Sequence, residues 1–173
     1  MERFIMQDLI AWKNREDRKP LILLGARQVG KTYILKEFGQ REFENVAYIN
    51  CDNNAMAKDL FASDYNIDRI LLTIGAITGV NIEAGKTLII MDEIQELYRG
   101  LASLKYFCEN AREYHVAVAG SLLGLSLHQG ESYPVGKVNT LEMYPMTFEE
   151  FLWARGFKQR MDLLQHGMWD VVK

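Results

Sequence analysis

Among 173 residues there are only two cysteines and three histidines. Cys51 and Cys108 lie far apart with no partnered spacing, and none of His115, His128 and His166 stands near either in a ligand pattern, which argues against a zinc site. Each thiol is expected to behave as a small buried hydrophobe. A basic excess is lacking too. The formal charge of -3 gives no broad positive field for counterion-driven binding, so nucleic acid is not indicated as a partner. Lys13, Arg15, Arg18 and Lys19 read as the solvated end of a helix rather than as a patch. Long apolar runs are missing as well: "ILLTIGAITGV" (70–80) is interrupted by threonines and is well short of a membrane span. The first residues carry Glu2 and Asp8, so they lack the basic start and apolar centre of a signal peptide. No membrane and a reducing, cytoplasmic setting are the expectation.

What is present is an ordinary folding composition, 49% apolar and 25% charged, in a length suited to one domain. Phe4, Ile5, Leu9 and Trp12 fall on one side of a lead-in helix that Pro20 cannot continue. "LILL" (21–24) is too short and too uniformly apolar for an amphipathic helix and reads as a strand buried on both faces. A glycine loop follows, then a helix marked by Ile34, Leu35 and Phe38, with Gly39 placed to stop it. "NVAYINCD", "TLIIMDE", "HVAVAGS" and the more alternating, edge-like "KVNTLEMY" are further strands. Between them Ile67, Ile70, Leu71, Ile74 and Ile77 mark one helix ending near Gly79. Leu101, Leu104, Phe107 or Cys108, and Ala111 mark another. Thr147 and Glu150 form a capping box for "FEEFLWA", and a short helix is expected near "QRMDLLQHGMW". Such alternation predicts a mostly parallel sheet between two helical layers, with ligands at the carboxyl ends of its strands. The irregular stretch from Gly120 to Lys137 reads as a mobile loop over that rim.

Gly25, Ala26, Arg27, Gln28, Val29, Gly30, Lys31 and Thr32 match G-x-x-x-x-G-K-[ST], in the strand-loop-helix context the motif needs. With glycine near ~7% of residues, a chance match in a chain this long is on the order of half a per cent. The glycines let main-chain amides converge on phosphate oxygens, and the following helix adds its dipole and unpaired N–H groups. Arg27 and Gln28 occupy variable loop positions whose amides, not side chains, would do the binding. Lys31 would neutralise the β- and γ-phosphates, and Thr32 would offer its hydroxyl to Mg²⁺. Asp92 would hold the magnesium, and Glu93 would serve as base or orienter for an attacking water. Ser121, at a strand tip, either senses the γ-phosphate, fixes the lytic water, or merely turns the chain. Lys137 either supplies positive charge to the phosphates or is a surface lysine.

With "LILLGARQVGKT", "TLIIMDEIQEL", "YHVAVAGSLLG", "SYPVGKV" and "LEMYPMTFEEFLWA" in that order, the chain resembles the prokaryotic AAA-superfamily P-loop ATPases in which the ATPase domain precedes a helical region and a nuclease-like domain of unknown function. The resemblance spans about Leu21 to Ala154. It implies a three-layer α/β/α P-loop NTPase fold with a five-stranded sheet of order 5-1-4-3-2. ATP would be bound by residues 25–32, with Tyr33 beside them. Mg²⁺ would lie near Thr32 and Asp92. Glu93 would be the catalytic acid residue, with Ser121 at the sensor position and Lys137 at a basic position after it. The expected division is a lead-in helix over 1–19, an ATPase core over 20–155, and the start of a helical region over 156–173. A C-terminal domain would lie beyond it, and homo-oligomers or protein partners would be in reach. Mg²⁺-dependent ATP hydrolysis that drives or times an attached domain is the leading expectation. A nucleotide-gated interaction module needs the same loop, whereas a kinase would want lid arginines that the stretch after Ser121 lacks.

Overall fold

Leu21, Ile22 and Leu23 are all fully buried, the burial that a central parallel strand demands on both faces. The structure, a computed structural model, describes residues 3–52, 54–121 and 133–156. Within them run α1 (Ile5–Lys13), β1 (Leu21–Gly25), α2 (Lys31–Glu42), β2 (Asn45–Asn50), α3 (Ala55–Lys58), α4 (Ile67–Thr78), β3 (Thr87–Asp92), α5 (Gly100–Asn110), β4 (His115–Ser121), β5 (Asn139–Met143) and α6 (Phe148–Ala154). A single 3-10 turn, Ile94–Glu96, lies between β3 and α5. The sheet order is β2-β3-β4-β1-β5 and every neighbouring pair is parallel. Read from the other edge this is the expected 5-1-4-3-2, with no antiparallel strand among those described. β5 alternates half-buried and exposed positions up to the buried Met143, as an edge strand should.

Strand period two sorts the core into two layers. Ile22, Ile89, Met91, Val116 and Val118 face α4 and α5, where Ile70, Ile74, Leu104 and Phe107 meet them. Leu21, Leu23, Leu88, Ile90, Ala117 and Ala119 face the other way, onto Ile34, Leu35 and Phe38 of α2 and Leu9 and Trp12 of α1. Cys51 and Cys108 are buried free thiols, as their spacing led us to expect. Among the described residues no helix is long and apolar enough to cross a membrane.

Two local expectations are corrected. Gly39 does not stop α2, which runs on to Glu42; instead a Cβ there would meet Val46 Cγ2 at 2.6 Å, so the glycine lets the helix approach β2. Phe4 is not on the buried face of α1. It is 42% exposed and sits edge-on to Trp153, while Met6 joins Leu9 and Trp12 inside. Gly79 does end α4, in the left-handed conformation, and the Thr147–Glu150 capping box is formed. The helix expected near residues 159–169, His128, His166 and most of the loop after Ser121 lie outside the described residues.

His115 opens β4, buried edge-on against Trp12 and Phe43. Burial, with Arg18 and Lys13 adding repulsion, pushes its pKa down to about 4. The unfolded chain therefore takes up a proton below the ordinary value while the folded one resists it, so stability falls as pH drops from about 6.5 toward 4. Urea unfolding is expected to lose on the order of 2 kcal/mol between pH 7.5 and pH 5 from this group alone. His115→Phe should flatten that part of the curve; an unchanged slope would contradict the assignment.

Candidate functional site

In a parallel sheet all strand ends share one rim, and the register gathers the motif residues there. Gly25 is level with Ser121 and Met143, and Asp92 is level with Ala119 and Asn50. A Cβ on Gly25 would lie 2.5 Å from the Met143 carbonyl oxygen, so the glycine lets the end of β1 lie this close to the end of β5. Gln28 and Gly30 have φ of 63° and 97°, which curls the loop and sends it into α2. The first helical bond runs from the Ile34 amide to the Gly30 carbonyl, so the amides of residues 31–33 have no such partner within the helix.

Arg27, Gln28 and Tyr33 have exposed side chains, whereas Lys31 is only 6% exposed. Its ammonium donates to the Gly25 and Ala26 carbonyls, at 3.0 and 2.8 Å, so two of its three N–H donors tie it across the loop. Behind the loop the Arg3 guanidinium donates to the Val29 carbonyl at 3.4 Å and to the Tyr144 carbonyl at 2.8 Å.

Asp92 ends β3 at 5% exposure and accepts two hydrogen bonds on Oδ2, from Thr32 Oγ1 at 2.5 Å and from the Tyr48 hydroxyl at 3.2 Å. Tyr48 carries the Lys36 ammonium over its ring at 3.4 Å. Burial, then the nearby Asp92 carboxylate, pushes Tyr48 up to about 12, which keeps the phenol protonated and donating. Burial with Asp92, Glu93 and Glu96 likewise pushes Cys51 up to about 12. Both shifts come first from burial, with the carboxylates of this rim adding to it. Two hard oxygen donors, Thr32 Oγ1 and Asp92 Oδ2, converge at the rim, a donor set that fits Mg²⁺ shared with phosphate oxygens.

Glu93 is a non-glycine residue in the left-handed region, φ 53° and ψ 48°, a conformation costing about 1–3 kcal/mol that persists only when its surroundings enforce it. Gln95, 9% exposed, donates from Nε2 to Glu93 Oε2 at 2.5 Å. Gln95 Oε1 is buried with no hydrogen-bond partner among the described residues, at a cost of about 1–3 kcal/mol. Ser121 is the last residue of β4, 4% exposed and level with Gly25.

Lys137 is not brought to this cluster. It precedes β5, which runs parallel to β1, so it lies at the opposite end of the sheet, in an ion pair of 2.9 Å with Glu109 near the end of α5. The reading of Lys137 as a phosphate contact is therefore corrected: a residue entering a parallel strand and a residue leaving one occupy opposite rims. Tyr48, Gln95 and Arg3 are the neighbours that the motif reading missed. Only Gln95 is near in sequence to the group it serves, two residues from Glu93.

Compared with known protein families, residues 17–152 match an AAA domain. The chain belongs to that family. Membership implies nucleotide binding and a P-loop ATPase, and the AAA domain's match begins before β1 and ends inside α6. No curated protein matches the chain.

Proposed function

We propose that this AAA domain binds ATP with Mg²⁺ at the rim formed by residues 25–32, Asp92 and Glu93, and hydrolyses it. The observation that carries the reading is the convergence of the Lys31-braced glycine loop with the Thr32–Asp92 oxygen pair at one end of the sheet. The amides at the start of α2 would receive phosphate oxygens, and the third donor of Lys31 would reach the β- and γ-phosphates. Thr32 and Asp92 would hold Mg²⁺, which supplies charge neutralisation on the transferring phosphoryl group when bound. Glu93 would take the proton of the attacking water, and Ser121 would fix that water or sense the γ-phosphate.

Residues 20–155 would form the ATPase core and residues 1–19 its lead-in, and the core would act on an attached domain. Hydrolysis would drive or time that domain. Two features of the loop support a bound anion: the left-handed residues Gln28 and Gly30, and a lysine buried against it. Lys31→Ala is expected to weaken ATP affinity roughly ten- to hundredfold, the worth of a charged hydrogen bond. Fluorescence titration with a labelled ATP analogue reads it; equal affinity in both proteins would overturn the loop assignment.

A further inference from the structure

We propose that Gln95 is a positioning residue whose side-chain amide holds Glu93 in its working orientation; this deepens the reading of Glu93 as base and rests on it. The geometry begins in the backbone. Left-handed φ and ψ at Glu93 start the single 3-10 turn Ile94–Glu96, closed by the Glu96 amide on the Glu93 carbonyl at 3.0 Å and the Leu97 amide on the Ile94 carbonyl at 3.1 Å. That turn folds the chain back so that a side chain two residues on reaches Glu93 itself, something a regular helix does not allow.

The orientation of the amide is decided by its partner. A carboxylate only accepts, so the NH₂ end of Gln95 must face Glu93 Oε2, at 2.5 Å, and Oε1 must point the other way. There it is buried without a partner among the described residues. A glutamine kept for stability would satisfy both ends of its amide. This one satisfies only the end that faces the acid. A methionine of similar length would fill the same space without the orphaned oxygen. Strain at Glu93 and the orphaned acceptor two residues on are two independent costs, and both are explained if the result is a carboxylate that does not rotate away from the rim.

The test compares wild type with Gln95→Met and Gln95→Asn, the second keeping the amide but shortening its reach. Expected for both is a fall of at least tenfold in kcat with KM for ATP and the affinity for an ATP analogue within twofold. The melting temperature of Gln95→Met should be unchanged or higher, because the orphaned acceptor is gone. A merely structural glutamine would do the reverse: activity, affinity and melting temperature would fall together. Unchanged kcat in both variants, alongside wild-type turnover that Glu93→Gln abolishes, overturns the role of Gln95 alone. Turnover that survives Glu93→Gln overturns the base assignment instead.

Discussion

Glu93→Gln is expected to lower ATP turnover by about 10²–10⁴-fold while leaving ATP affinity close to wild type. The substitution keeps size and polarity and removes the negative charge together with the ability to accept a proton. It also leaves the loop contacts of Lys31 and the Thr32–Asp92 pair untouched, since neither includes Glu93. Single-turnover phosphate release separates the chemical step from product release, and retained analogue binding separates catalysis from assembly of the site. If turnover were unchanged, a different group would be taking the proton. If affinity collapsed together with turnover, Glu93 would be holding the loop and not the water.

Arg3→Ala is expected to destabilise the fold by about 3–5 kcal/mol, the range for breaking a buried ion pair from one side. Both partners have 4% exposed side chains, with Arg3 Nε 3.0 Å from Glu150 Oε1. Burial alone would raise the Glu150 carboxyl, but the Thr147 and Phe4 amides and Arg3 outweigh it and hold it below the ordinary range. Removing Arg3 would strand that charge and release the Val29 carbonyl behind the phosphate loop. Urea unfolding should therefore show a large drop in midpoint, and ATP affinity should weaken more than for a surface substitution such as Arg15→Ala. A loss under 1 kcal/mol would mean that α6 and the N-terminal segment do not brace the loop.

The parts of this molecule that were legible in its sequence are those whose causes are local or periodic. A strand buried on both faces leaves an uninterrupted apolar run, so "LILL" and "TLIIMD" announced themselves, and the loop after the first needs residues 25–32 in one contiguous order. The capping box of Thr147 and Glu150 spans three residues and was equally plain. The missed features depend on pairs far apart in sequence. Tyr48 reaches Asp92 across 44 positions and Arg3 reaches Glu150 across 147, and no local pattern distinguishes a tyrosine that packs from one that donates to a carboxylate. Gln95 is close to Glu93, but only the left-handed turn brings the two side chains together. Lys137 shows the opposite error. The family resemblance set it at a basic position near the phosphates, whereas parallel topology puts a residue that precedes a strand at the far end, here paired with Glu109. Gly39 was read as a stop signal because helix ends favour glycine, yet the contact with Val46 asks for the same residue inside a helix.

Binding of Mg-ATP and release of phosphate, followed together on samples of the wild-type protein with and without Mg²⁺, bears on the central claim most directly. The site described here predicts saturable ATP binding and steady phosphate release that requires the metal. Tight binding with no release would move the assignment to a nucleotide-gated module, and no ATP binding at all would contradict the account of residues 25–32 from which the rest is built.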